Sequence, residues 1–418
     1  MANAYGFAQQ IKKDRVPDGY MTTEAGVLPV EWRAEKMSRL IRKLTQAAGE
    51  DIYETVSISA GKGFVNQAQK FGKELSGKQY EKYIVLHKGD FSYNKGNSTV
   101  YPQGCIYRLR DRESVAVPNV FESFSVEHGD PDYYEQLFIS GFLNKQLYSK
   151  INRGVRENGL LNLTGDDFYS CSVPVPPLPE QQKIAEVLFQ CDRVIELKRQ
   201  RIVEEKKKKK WLIEKTLNSG QMVELRQCCI ADGEYGLNAP ARTYNPNLPQ
   251  YIRITDIDAD GKYQGRFPVS VDVQEWKKYE LRVGDILFVR TGGTVGKAYR
   301  YSANDGKLVY AGFLIRFSVN CNVYDDRFIY YQFLTERYRN WVAIMSARSG
   351  QPGINAYEYG KYPLRIPATI EEQNRIADAL SAVDNLIDQL GKELEQWENK
   401  KKSLMKLLLT GIVRFNFK

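Results

Sequence analysis

Apolar residues return at alternating steps of four and three along two long, highly charged stretches of the chain. In the later stretch, about Ile370 to Thr410, the steps fall on Ile376, Leu380, Val383, Ile387, Leu390, Leu394, Trp397, Lys401, Leu404 and Leu408. Nine of these ten are apolar, which is the pattern of a coiled-coil seam. In the earlier stretch, about Glu180 to Asn218, the same steps give Ile184, Leu188, Cys191, Ile195, Lys198, Ile202, Glu205, Lys209, Leu212 and Thr216, a weaker seam. Prolines precede both stretches, at Val173–Pro179 and Pro363–Pro367, and Gly220 and Gly411 follow them. Both therefore read as helices with ordinary start and stop signals. At 1.5 Å rise per residue each is about 60 Å long.

The two seams stand at a constant offset of 192 residues, Ile184 to Ile376, and Asp192 matches Asp384 at the same distance. Upstream, Gly89-Asp90-Phe91 with Tyr93 parallels Gly284-Asp285-Ile286 with Phe288 at an offset of 195. Leu161-Asn162 parallels Ile354-Asn355 at 193. Matches in the same order with slowly drifting offsets indicate a duplicated unit, each copy a variable domain followed by a long helix. Two equivalent helices of one chain can pair with each other, antiparallel, rather than zip two chains together.

The variable parts are rich in Tyr, Phe, Val and Ile in short runs broken by Gly, Asn and Asp. Tyr83–Leu86, Tyr107–Leu109, Asp285–Val289 and Phe313–Phe317 read as strands. Helical stretches follow, at about Asp132–Lys150 and Asp326–Met345. The expected architecture is α+β: an N-terminal segment (1–25), a first variable domain (26–176), a central spacer helix (177–220), a second variable domain (221–367) and a C-terminal spacer helix (368–418).

Composition narrows the chemistry. A length of 418 residues exceeds one ordinary core. The formal net charge of +9 suits a polyanionic partner such as nucleic acid. No apolar run approaches a membrane span, and residues 1–15 lack the apolar core of a signal peptide, so the expected location is the cytoplasm without a membrane partner. Six cysteines without a CxxC pair argue against a structural zinc site, and two histidines, His87 and His128, leave little for a metal centre or a hydrolase triad. Thr291–Ala298 is reminiscent of a phosphate loop, but Thr291 replaces its first glycine and Ala298 the magnesium-holding hydroxyl. It reads as a turn, or as a loop whose amides and Lys297 meet DNA phosphate. Neither a dinucleotide fingerprint nor an amino-methyltransferase motif is found in the sequence, and no carboxylate-plus-lysine constellation recurs in both halves. The run Lys206–Lys210 reads first as a solvated helix face and second as an electrostatic contact for DNA or an acidic partner.

The order of these motifs resembles a known family. Gly26-Val27-Leu28-Pro29 with Trp32 opens the chain, and Pro177-Leu178-Pro179-Glu180-Gln181-Gln182 with Ile184-Ala185 opens the first helix. Glu372-Gln373 with Ile376-Ala377 opens the second, which ends Leu409-Thr410-Gly411. Across essentially the whole chain this is similar to the specificity subunit of type I restriction–modification enzymes, and Gly284–Gly292 resembles a strand of that family's target-recognition domains. The second helix departs from the pattern with Ala368-Thr369-Ile370-Glu371 in place of Pro-Leu-Pro-Glu.

The resemblance implies two target-recognition domains, each reading one half of a split double-stranded DNA target. It implies that two long helices, paired as an intramolecular antiparallel coiled coil, set the distance between the halves. Two modification subunits would dock on them and restriction subunits would join the complex. It implies no cofactor in this chain; S-adenosylmethionine, ATP and magnesium would belong to the partner subunits. Base reading needs donors and acceptors at base edges, whereas Lys and Arg on phosphate give position. Candidate DNA-binding residues follow the matched strands: Tyr93, Asn94, Lys95 and Ser98 in the first domain, and Arg290, Thr291, Thr294 and Lys297 in the second. Ser349, Gln351 and Asn355 form a further candidate loop, although Asn162 and Asn355 can instead cap a turn. The candidate seam comprises Ile184, Leu188, Ile195, Ile202, Ile376, Leu380, Val383, Ile387, Leu390, Leu394 and Trp397. The main rival is a two-domain coiled-coil DNA-binding regulator, which a helix-turn-helix would favour; none is legible in the sequence. A self-contained nuclease or methyltransferase is the second, against which the missing motifs stand.

Overall fold

A computed structural model describes residues 16–67, 77–96, 100–151, 161–347 and 352–415. It divides into two compact units, Met1–Leu197 with Leu394–Lys418 and Lys198–Glu393.

Unit 1 is built on a four-stranded antiparallel sheet in the order Ile41–Lys43, Glu122–Val126, Phe91–Asn94, Cys105–Arg108. Helices α1 (Pro131–Ile139), α2 (Asn144–Lys150) and α3 (Gly165–Tyr169) follow the sheet strands in sequence. The single helical stretch expected over 132–150 is thus two helices, parted near Gly141, whose φ of 75° breaks the α ladder. The boundary expected at residue 25 falls inside a hairpin: Tyr20–Thr23 pairs with Gly26–Pro29, so residues 20–25 belong to the domain. The first long helix, α4, spans Leu178–Thr216.

Unit 2 repeats the sheet, in the order Glu234–Tyr235, Leu314–Ser318, Asp285–Val289, Ala298–Arg300. A second four-stranded sheet contains Arg242–Thr243, Val269–Ser270, Gln250–Ile252 and Leu308–Tyr310. Helices α5 (Asp326–Tyr331), α6 (Glu336–Ser346) and α7 (Ala356–Gly360) correspond to α1–α3, and the second long helix, α8, spans Ile370–Leu408.

The matched motifs are parts of this repeated frame. Gly89 and Gly284 have φ of 102° and 96°, values open to glycine, and turn the chain into the central strand. The aspartate after each accepts the amide three residues back, Asp90 from His87 at 2.7 Å and Asp285 from Arg282 at 2.8 Å. Burial pushes both carboxyls up. The Gln of each helix opening holds the N-cap residue of an earlier helix of its domain, α1 or the equivalent α5: Gln181 accepts the Asp130 amide at 2.8 Å and Gln373 the Asp325 amide at 3.2 Å. One ring pair of the core recurs at equivalent positions in both units, with its hydroxyl on opposite members. Tyr93 lies 4.5 Å from Phe168, and Phe288 lies 4.8 Å from Tyr359.

The long helices run antiparallel wherever they meet. In unit 1, Lys401 Nζ lies 2.6 Å from both Asp192 oxygens. In unit 2, Lys209 pairs with Asp384 and Lys198 with Glu393, each at 2.6 Å. Numbers rise on one helix as they fall on the other. Asp192 and Asp384 are repeat equivalents, as are Lys209 and Lys401, so one ion pair is made twice. Gln136 Nε2 donates to Asp192 at 3.0 Å, and Tyr331 Oη donates to Asp384 at 2.8 Å. Of the seam, Ile184, Leu188, Ile195, Leu380 and Val383 are buried; Ile202, Ile376, Ile387, Leu390, Leu394 and Trp397 are partly buried. The polar interruptions Lys198 and Lys209 therefore serve as cross-helix ion pairs.

Candidate nucleic-acid interface

Both units place a basic residue where the central strand ends, and both fasten it by the same backbone bond. In unit 1 the Leu161 amide donates to the Lys95 carbonyl at 2.9 Å; in unit 2 the Ile354 amide donates to the Arg290 carbonyl at 2.9 Å. The loop after the central strand is thus held beside the segment that leads into α3 or α7.

In unit 2 this joins the two candidate loops. Thr291 bridges Gly353, its hydroxyl donates to the Pro352 carbonyl at 3.2 Å, and the Gly292 amide donates to the same carbonyl. The half-buried Arg290 guanidinium stands over the exposed Tyr235 ring, 4.9 Å from its centre. Thr294 is exposed at the tip. Lys297 instead folds back, donating to the Ile257 carbonyl at 2.8 Å. Asn355 is the N-cap of α7: its side chain accepts the Glu358 amide at 2.9 Å, and the Asn355 amide in turn donates to the Glu358 carboxylate at 2.8 Å. This is the capping alternative. In unit 1 the cap is Thr164, two residues past Asn162.

In unit 1 Tyr93 requires correction. It has no exposed surface, stacks on Phe168 and donates to the Gln103 carbonyl at 2.7 Å, with burial raising its phenol pKa. Strand alternation turns Tyr93 into the core, so it supports the loop from beneath and presents no edge to a base. Asn94 shapes the turn, accepting the Gly96 amide at 2.8 Å and donating to the Ile58 carbonyl at 3.3 Å. Lys95 forms an ion pair with the buried Glu122 at 3.0 Å. Ser98, Ser349 and Gln351 lie outside the described residues.

The sequence reading missed Glu122 and Tyr235, the side chains that hold the two basic residues. Each comes from a different strand of the sheet, a relation that no local spacing signals. Among the described residues no group of His, Cys, Asp or Glu could hold a metal ion, and no helix is long and apolar enough to cross a membrane.

A duplicated sheet domain with a basic residue at each central strand end, carried on a pair of antiparallel helices, defines a tandem recognition subunit. The family model described as the type I restriction modification DNA specificity domain matches residues 37–206 and 242–397. The chain belongs to that family, the DNA sequence-specificity subunits of type I restriction–modification systems. It is 24% identical over 304 residues to the type I restriction enzyme MjaVIII specificity subunit of Methanocaldococcus jannaschii, covering 66% of this chain and 70% of that protein. It is 21% identical to the MjaX specificity subunit of the same organism, covering 95% and 97%. Among solved structures, one from a study of complex assembly and conformational transition of the type I R-M system superposes with a TM-score of 0.57 at 15% identity, covering 92% of this chain and 99% of that one. The S subunit from M. genitalium superposes with a TM-score of 0.55 at 14% identity, covering 90% and 96%.

Proposed function

We propose that this subunit is non-catalytic by itself and that each of its two domains reads one half of a bipartite DNA target. The observation that carries the reading is the repeated strand end: the same backbone bond fastens Lys95 in one domain and Arg290 in the other. A duplicated frame with different side chains at its tip is what two independent readers require. The paired helices set the spacing between the half-sites and dock two modification subunits; restriction subunits complete the assembly in the cytoplasm. S-adenosylmethionine, ATP and magnesium are bound by those partners.

Removing one heptad from each helix tests the ruler. It keeps the apolar phase and shortens the scaffold by about 10 Å at 1.5 Å per residue, or about 3 base pairs at 3.4 Å each. Methylome mapping of the assembled enzyme should show unchanged half-site bases and a spacer shortened by up to that amount. Methylation at the original spacing would show that the helices do not set the distance.

A further inference from the structure

The lysine run of α4 does not fan evenly into solvent. Lys206, Lys209 and Lys210 line a cavity of about 640 Å³ within unit 2, whereas Lys207 and Lys208 are not part of its wall. The glycine-rich turn Gly293–Lys297 also lines it, with Lys262 and Arg339. Six cations therefore meet two acids there, Asp260 and Asp384. Lys206 pairs with Asp260 at 2.8 Å and Lys209 with Asp384 at 2.6 Å, while Lys262 reaches Asp388. Lys210 has no acidic partner among the described residues. The Asp260 carboxyl is held below the usual range, first by the hydrogen bond from Lys206, against an opposing burial effect, and further by the fields of Lys206, Lys209 and Lys262.

The turn adds donors to this field. Val295 and Lys297 donate their amides within the turn, but the amides of Gly293 and Thr294 have no acceptor among the described residues. Nothing stands within 4 Å of where a Gly293 Cβ would lie, so a ligand can approach the backbone there. Successive free amides beside lysines recognise anions, and the volume falls in the range of small-ligand sites, about 300–1,000 Å³. Although this turn lacks the residues of a nucleotide phosphate loop, it retains that loop's simplest chemistry.

We propose that this cavity is a phosphate-binding site in which Lys210 and the Gly293 and Thr294 amides hold the anion and the paired lysines supply the surrounding positive field. The phosphate comes either from the backbone of DNA bound to this domain or from a free phosphate ester or pyrophosphate. Only the first source rests on the DNA-reading role. The split of the lysine run into residues inside and outside the cavity provides the control.

Two binding measurements on Lys210→Gln, Lys210→Arg and Lys207→Gln decide the matter. In the assembled modification complex, Lys210→Gln should weaken cognate and non-cognate duplex equally, about three- to tenfold, and reduce the log–log salt slope by about 1. Lys207→Gln should change the slope by much less, and Lys210→Arg should restore it. Calorimetry of the full chain with inorganic pyrophosphate reads the free source: saturable binding weakened about tenfold by Lys210→Gln alone would support it. If Lys210→Gln matches Lys207→Gln in both measurements, or weakens cognate DNA only, the phosphate site is wrong. A wild-type complex that binds pyrophosphate but no DNA would instead overturn the DNA-reading role and leave the phosphate site standing.

Discussion

The two units share a frame and differ in how they fasten their surroundings. Glu180 and Glu372 occupy the same place in the repeated helix opening. In unit 1 Glu180 is buried at 1% exposure, accepts Trp32 Nε1 at 2.9 Å and holds the Arg414 guanidinium at 2.8 Å. In unit 2 Glu372 is partly exposed, and among the described residues its carboxylate reaches only Arg375 on its own helix, at 3.9 Å. The strand ends diverge in the same way, with Lys95 tied to a buried carboxylate and Arg290 laid over an exposed ring. Duplication thus preserved the sheet, the Gly-Asp turn, the Gln clamp and the cross-helix ion pair, while the side chains hung on them changed.

The Glu180 and Glu372 contrast should give the largest effect. Glu180→Ala leaves the Trp32 indole and two of the Arg414 donors without their acceptor, while Glu31 still holds the third at 2.9 Å; it should cost about 3 kcal/mol, the low end for breaking a buried pair. Glu372→Ala should stay within about 0.5 kcal/mol, as surface changes do. Denaturant unfolding of both variants checks this; equal losses would mean that the repeat positions are not differently used.

The ion pair made twice should behave alike in both units. Double-mutant cycles over Asp192→Asn with Lys401→Met, and over Asp384→Asn with Lys209→Met, should each return a coupling of about 1–2 kcal/mol. A coupling in one unit alone would mean that the equivalence is geometric only.

The smallest effects concern the repeated ring pair and the caps. Tyr93→Phe and Tyr359→Phe each remove one hydroxyl hydrogen bond, to the Gln103 and Val289 carbonyls, and should cost about 1 kcal/mol. Neither should alter the bases methylated, because neither ring faces out of its core. Asn355→Ala should also cost about 1 kcal/mol as a lost N-cap, and Asn355→Ser should recover most of it. If Asn355→Ser keeps stability but changes the target, Asn355 reads DNA as well as capping α7.

The helices were legible because their signals are local. Apolar steps of four and three, prolines before and glycines after set α4 and α8 close to where they lie. The Gly-Asp matches were legible as repeats, and their physical reason is a positive-φ turn with an aspartate cap. The strand ends were only half legible. Spacing located Lys95 and Arg290, but their states depend on Glu122 and Tyr235, brought in by sheet pairing from 27 residues downstream and 55 upstream. Tyr93 was misread because a tyrosine at a strand end suits either face, and its placement depends on the Phe168 ring packed against it. The polar interruptions of the first seam looked like weakness; Lys198 and Lys209 meet Glu393 and Asp384 on the partner helix, which a single-helix pattern does not display.

In the proposed function, the two domains are independent readers on a common frame. Replacing residues 16–175, which keeps the N-terminal hairpin whole, with the corresponding region of a relative of different specificity tests it directly. Methylation sites of the assembled enzyme would then be mapped at base resolution. One half of the bipartite target should change to that of the donor while the other half stays as in the parent. A change in both halves would contradict it, because the domains would then read DNA jointly.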